Sequence, residues 1–315
     1  MMRRQLIVTL LAGLASGPTA SASGPGSGYV AEILEWRQER EARLKADGGW
    51  LTVAGLFWLE EGENPFGTGA DNAIVLPEGT APARAGVFTF HDGRTTVTVA
   101  EGVAATVGGR RVTTEALRPD SEGEPDVLVL GDLSMHVIER GGRHGIRLKD
   151  RNSRFRREFS GLRWYPVDES YRVTARFVPY DPPRTIRVPT VLGTTEEMTS
   201  PGYAVFTIGD RELRLDPVLP DPEAETLFII FSDLTTGEQT YPAGRFLYAG
   251  PPEEGRLVLD FNKAYNPPCA FTPYATCPLP PEQNRLPVRV EAGELDYGRH
   301  RAGRGARPAS APPGP

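Results

Sequence analysis

Residues 260–294, DFNKAYNPPCAFTPYATCPLPPEQNRLPVRVEAGE, hold both cysteines of the 315-residue chain, together with seven prolines and four acidic groups. Three kinds of chemistry could use them. The first is recognition of a small polar or anionic ligand. Asp260, Asn262, Tyr265, Asn266, Asn284 and Arg285, with Arg245 a little upstream, offer a carboxylate, three amides, a phenol and two guanidinium groups. Prolines between them restrict the backbone, which is how a binding surface is preorganised. Buried asparagines demand partners, from the backbone or from a ligand. The same residues could therefore clamp the arm to the fold, with Arg285 an ion-paired anchor, and both readings stay open.

The second chemistry belongs to the thiols. Cys269 and Cys277 enclose seven residues and have no other cysteine to pair with. In an exported protein this spacing predicts a disulfide, and a loop of this size gives about 2.5 kcal/mol of stabilisation if unstrained. Free or redox-active thiols, and metal ligation, are the alternatives. A zinc site wants three or four ligands, and His91, His136, His144 and His300 lie far away in sequence. No metal is expected. The third chemistry is hydrolysis, by a carboxylate pair drawn from Asp260, Glu282, Glu291 and Glu294, or by Cys269 with a base. Only His136 and His144 could serve as that base inside the fold, and for the carboxylates, loop spacing leaves open which of them converge.

No nucleophile elbow, zinc-protease motif, phosphate-binding loop or dinucleotide fingerprint occurs, so no cofactor is expected. The first 24 residues carry Arg3 and Arg4, an apolar run over 6–14 and small residues at 20–23. That is the pattern of an export signal, and the run is too short to span a membrane. The expected location is periplasmic or secreted. The formal charge of −6 includes those two arginines and four more at 299, 301, 304 and 307. Removing these six positive charges leaves a body near −12, which argues against nucleic-acid partners. Residues 298–315 are basic, rich in Gly, Pro and Ala, and are expected to be a disordered tail.

The elements that must position these groups are mostly strands. Gly 35 and Pro 30 make about a fifth of the chain, a composition of turns and short strands. Residues 29–46 have helical periodicity with Asp47-Gly48-Gly49 as the stop, and Arg37, Arg40 and Arg43 are expected on its solvated face. From Trp50 onward, short apolar runs alternate with turns such as His91-Asp92-Gly93 and Arg140-Gly141-Gly142. A basic run, Arg147, Lys149, Arg151, Arg154, Arg156 and Arg157, marks the boundary between two β units. It is either an ion-paired linker or an anion-binding rim. Beyond it, residues 227–231 form an all-apolar run expected as a central strand, and 286–294 are expected as the last strand.

Two resemblances add to this. Phe66-Gly67-Thr68-Gly69, residues 73–77, Val107-Gly108-Gly109 and residues 127–131 are similar in order to a forkhead-associated (FHA-like) β-sandwich. The phosphothreonine-reading residues of that family are not matched: Thr68 follows Gly67, and the next loop reads Pro82-Ala83-Arg84-Ala85. The resemblance thus implies a scaffold without phosphopeptide recognition. Tyr241-Pro-Ala-Gly-Arg245, the run from Asp260 through Cys269 and Cys277, and Asn284-Arg285-Leu-Pro-Val resemble the DUF1684 family. Residues 50–57 and 160–164 fit the same family, which implies no particular reaction or cofactor.

The sequence therefore predicts a mainly β protein: a signal peptide (1–24), an N-terminal helix (25–50), an FHA-like antiparallel β-sandwich (51–150), a second antiparallel β domain with the Cys/Pro-rich arm (151–297), and a tail. The expected function is binding of a small polar or anionic ligand by the arm, with Arg147 or Arg154 nearby. A hydrolase at the same place and a non-catalytic envelope scaffold are the alternatives.

Overall fold

The computed structural model describes residues 25–298 apart from residue 222. The expected export signal, and the expected tail beyond Gly298, lie outside the described residues. Helix α1 (Pro25–Lys45) ends before Gly48, whose φ of +80° allows the chain to reverse. Its buried seam is narrow. Tyr29, Ile33 and Leu44 face inward, whereas Val30 and Leu34 are exposed. The expectation of a solvated arginine face fails at Arg40, which is 8% exposed. The helix packs on the arm, and a long guanidinium stem fills the seam there where an aliphatic residue would otherwise sit.

The first β unit contains β1 (Val53–Trp58), β2 (Gly62–Gly67), β3 (Ile74–Val75), β4 (Gly86–His91), β5 (Arg94–Val99), β6 (Thr106–Val107), β7 (Arg110–Arg111), β8 (Thr114–Leu117), β9 (Val127–Leu130), β10 (Leu133–Arg140) and β11 (Arg143–Asp150). They form two sheets, ordered β1-β11-β10-β9-β6-β7 and β3-β2-β4-β5-β8. All pairings are antiparallel except β2 with β3. Alternation along each strand sends Phe66, Phe88, Val97, Leu128, Met135 and Ile146 into one core between the sheets. The β4–β5 turn needs left-handed backbone at Asp92 (φ 47°) and Gly93 (φ 77°). An aspartate–glycine pair accepts that conformation, and its twist suits a two-residue hairpin.

The basic run beyond β11 is mostly neutralised locally. Arg156 pairs with Asp47 at 2.8 Å and Arg151 with the same carboxylate at 3.7 Å. Arg154, in the short helix α2 (Arg154–Arg157), lies 3.9 Å from Glu158. The second unit then builds a sheet β14-β13-β12-β17 from β12 (Arg172–Pro189), β13 (Thr195–Ile208), β14 (Arg211–Leu215) and β17 (Arg256–Asp260). A separate hairpin is made by β15 (Leu227–Phe231) and β16 (Arg245–Ala249).

Two expectations change here. The apolar run at β15 is not central in a large sheet, because its only strand partner is β16. It is apolar throughout because the hairpin divides two cores. Leu227, Ile229 and Phe231 pack with Leu215, Leu259 and Phe261, and Phe228 and Ile230 pack with Ile186, Val188 and Ala275. Residues 286–294 form no strand. Pro287 lacks a backbone donor, and Gly293 turns the chain at φ +84°. Side chains replace the missing ladder: Arg245 donates to the carbonyls of Val290 and Ala292, and Asp233 accepts from the Val290 amide at 2.6 Å.

Candidate functional site

The arm's polar residues are held by the protein itself. Asp260 closes a short helical turn by accepting from the Asn262 amide at 3.2 Å, and its Oδ1 also accepts from the Tyr29 hydroxyl at 2.9 Å. Asn262 is fully buried. Its Nδ2 donates to Tyr29 and to the Asp168 carbonyl, and its Oδ1 accepts from the Asp168 amide. Asn284, 1% exposed, bridges two segments in the same way. It accepts from the Asp216 amide at 2.8 Å and donates to the carbonyls of Asp216 and Ile230, each at 3.0 Å. Asn266 donates to Leu295 O at 2.8 Å, and its amide N–H to Glu294 at 3.2 Å. Arg245 is wholly buried, 3.4 Å from Asp233. Arg285 is exposed and does not approach the others through its side chain among the described contacts.

Of the arm residues singled out as ligand readers, Tyr265 lines a cavity. That cavity is the narrower half of a groove, about 500 Å³, also lined by Trp36, Arg40, Arg43 and Lys263. The wider half, about 570 Å³, is walled by the arm at Pro268, Thr276, Cys277 and Pro278, and by Arg147 of the first β unit. Trp50, Phe228, Phe246, Tyr248 and Pro268 line both halves and make a shared apolar floor. On it, Phe228 and Tyr248 stack at 5.0 Å, and Tyr248 and Tyr265 lie nearly parallel with centroids 6.3 Å apart.

Arg147 gives this groove its character. It sits on β11 opposite His136 of β10, and it is 5% exposed. One guanidinium nitrogen donates to Thr276 Oγ1 at 3.3 Å, and the group lies 5.2 Å from the Trp50 ring. Its Nε has no hydrogen-bond partner, and among the described residues no carboxylate pairs with it. Burial, with Arg140 nearby, pulls its pKa down to about 10. The neighbouring Arg140 differs, being neutralised by Asp120 at 2.8 Å. At the far end, Arg40 crosses the Tyr265 ring at 4.6 Å and reaches Glu294 at 3.5 Å. Glu294 is fully buried, and burial pushes its pKa up to about 7 despite Arg40.

The cysteines are both free thiols in the structure, in place of the expected disulfide. They are in contact: the Cys269 amide donates to Cys277 Sγ at 3.3 Å, and Cys269 Sγ donates to Ala275 O at 3.7 Å. No histidine or carboxylate hydrogen-bonds to either among the described residues. His144 lies near Glu139 and Phe90, and burial holds His136 down to about pKa 4, so neither serves Cys269 as a base. The four arm acids do not converge. Asp260 is held by Tyr29, Glu291 by Arg289, Glu294 by Arg40, and Glu282 is exposed. Glu61, His91 and Asp92 are the one group of metal-type side chains gathered among the described residues, and all three are exposed at the far hairpin. No described helix is long and apolar enough to cross a membrane.

A mainly β protein of two units with an arginine-lined groove between them is thus the class that fold and site define. The DUF1684 family, described as a protein of unknown function, matches residues 157–295. An uncharacterised protein of Haloarcula marismortui, solved by NMR, is 33% identical over 44% of this chain and 78% of its own, with a TM-score of 0.38. The chain belongs to the DUF1684 family. The FhaA FHA domain, solved with a bound intracellular domain, is 20% identical over 30% of this chain and 97% of its own, at a TM-score of 0.21. The second FHA domain of a Mycobacterium tuberculosis ABC transporter is 24% identical over 28% and 77%, at 0.22. No curated protein matches the chain in sequence.

Proposed function

We propose that the protein binds a small organic anion with an apolar or aromatic body, held in the groove between its two β units. The observation that carries this reading is Arg147. A buried cation without a carboxylate partner is unfavourable unless something else supplies the charge. A carboxylate or phosphate entering the wider half would meet the free edge of that guanidinium. The floor of Trp50, Phe228, Phe246 and Tyr248 would cover the body of the ligand. Asp260, Asn262, Asn266 and Asn284 support this reading indirectly, by fixing the arm that forms one wall.

Calorimetric titration of the reduced protein with phenyl phosphate and benzoate, against neutral phenol, tests it. A charge-assisted contact of about 1.5–3 kcal/mol corresponds to roughly a tenfold to hundredfold affinity loss in Arg147→Met. Absence of binding by either anion, or an unchanged affinity in that variant, would refute the reading. Export is part of the same proposal and rests on the sequence of residues 1–24. Sequencing the N-terminus of protein recovered from the envelope or the culture medium tests it; an intact Met1 would count against it.

A further inference from the structure

We propose that Cys269 and Cys277 form a reversible dithiol–disulfide couple in the groove wall, and that its oxidation frees Arg147 to hold an anion. The coupling to affinity rests on the anion-binding reading; the thiol chemistry does not.

Three observations meet at one place. The two sulfurs are already neighbours, with the Cys269 amide on Cys277 Sγ at 3.3 Å, so closing a bond needs only a local rearrangement. Cys277 lines the wider half of the groove next to Thr276, and Thr276 Oγ1 accepts from Arg147 at 3.3 Å. Arg147 has no carboxylate in ion-pair contact, and Asp120, the acid that acts on it most, is already paired with Arg140, so a thiolate in this wall adds a negative charge that Arg147 feels. The pair also ionises unevenly. The hydrogen bond between the side chains, with Arg147 adding to it, brings the first proton loss below the usual thiol range, and the same bond and burial push the second far above it. These values belong to the pair, which carries at most one negative charge.

The reaction partner is a small-molecule disulfide. The thiolate of Cys269, the more exposed of the two, attacks one sulfur of that disulfide, and the other leaves as a thiolate that takes up a proton. Cys277 then attacks Cys269 Sγ, its proton passing to the second departing thiolate. The protein's two thiols become one disulfide, and the external disulfide becomes two thiols. In the reduced form a Cys thiolate competes with any anion for Arg147. In the oxidised form that charge is gone.

The full chain would be equilibrated with reduced and then with oxidised glutathione, with thiols counted after denaturation and phenyl phosphate binding measured in each state. The expected result is loss of both thiols with a mass decrease of about 2 Da, and at least about threefold tighter binding in the oxidised form. The Cys269→Ser/Cys277→Ser double variant should bind as the oxidised wild type does and ignore the oxidant. Two free thiols persisting in oxidised glutathione would overturn the couple. Equal affinity in the two states would overturn its link to Arg147. Binding in neither state, with the thiols still oxidised, would refute the anion site and the link while leaving the couple standing.

Discussion

Replacing Glu294 by Gln changes one buried oxygen for an amide and isolates a pH dependence that the fold builds in. Glu294 is fully buried, Arg40 stands 3.5 Å from one oxygen, and the other oxygen has no donor. Burial outweighs Arg40 and raises the carboxyl from 4.5 to about 7. A carboxyl whose folded value is raised binds its proton more tightly in the folded protein than in the unfolded chain. Its contribution to stability is therefore greatest below about pH 4.5, falls as pH rises, and levels off above about pH 7. A shift of this size corresponds to about 3 kcal/mol across that window. Glutamine stays neutral and cannot titrate. Urea unfolding of wild type and Glu294→Gln at several values between pH 4.5 and 8 gives the difference in stability, in which all other groups cancel. Wild type should lose about 3 kcal/mol relative to the variant across the range. A flat difference, or a wild type that gains stability on the variant as pH rises, would mean that Arg40 wins and that the carboxylate is ionised throughout.

Other variants probe the arm and the groove. Asn284→Ala orphans the Asp216 amide and two carbonyls, and should cost about 2–4 kcal/mol in chemical denaturation; a loss below about 0.5 kcal/mol would remove its stapling role. Tyr29→Phe deprives Asp260 of a donor and Asn262 of an acceptor. It should lower stability by about 1–2 kcal/mol and speed proteolysis within α1, whereas unchanged cleavage would mean that the helix is held elsewhere. Arg147→Met removes a buried unpaired charge and should raise the melting temperature of the ligand-free protein, by up to about 3 kcal/mol in free energy. Destabilisation by that change would show that the guanidinium is needed for the fold. Gly244→Ala would place a Cβ 2.6 Å from the Phe231 carbonyl at φ +87°, costing several kcal/mol, at least about 2 by melting.

Hairpins and helix were legible because they obey local rules. The stop at Asp47-Gly48-Gly49 and the turns at Asp92-Gly93 and Gly141-Gly142 depend on backbone conformations that few other residues accept. The site was legible only in part. The sequence singled out the arm, and the arm does wall the groove, but its asparagines face inward to the chain. Long-range partners such as Asp216 and Asp168 decide that, and no periodicity encodes them. Arg147 was visible as a member of a basic run, yet nothing in the run separates it from Arg154. Alternation on β11 sends Ile146 and Leu148 into the first core and Arg147 to the opposite face, so its burial comes from the arm and Trp50 packed on that face, which the strand pattern does not encode. Arg40 was missed because helical spacing assigned it to a polar face, and a docking element from the other end of the chain buries it.

Helix α1 meets partners in mid-chain, where Glu41 accepts from the Leu162 amide and Arg37 donates to the Tyr165 carbonyl, and its most buried polar contacts come near the far end: Tyr29 bonds to Asp260 and Asn262, and Arg40 to Asn266 and Glu294. A chain made from its N-terminus must therefore carry this helix with its dock incomplete until nearly all of it has been synthesised. Closing a loop of more than 200 residues adds only a little entropy over a shorter one, but it delays the last step of assembly. The first β unit, whose strand pairings all lie within residues 53–150, is free to fold in the meantime. A product cut short before residue 260 keeps that first unit and leaves the helix seam open to solvent. A protease or chaperone that reads exposed apolar helices would then have a direct report of incomplete synthesis.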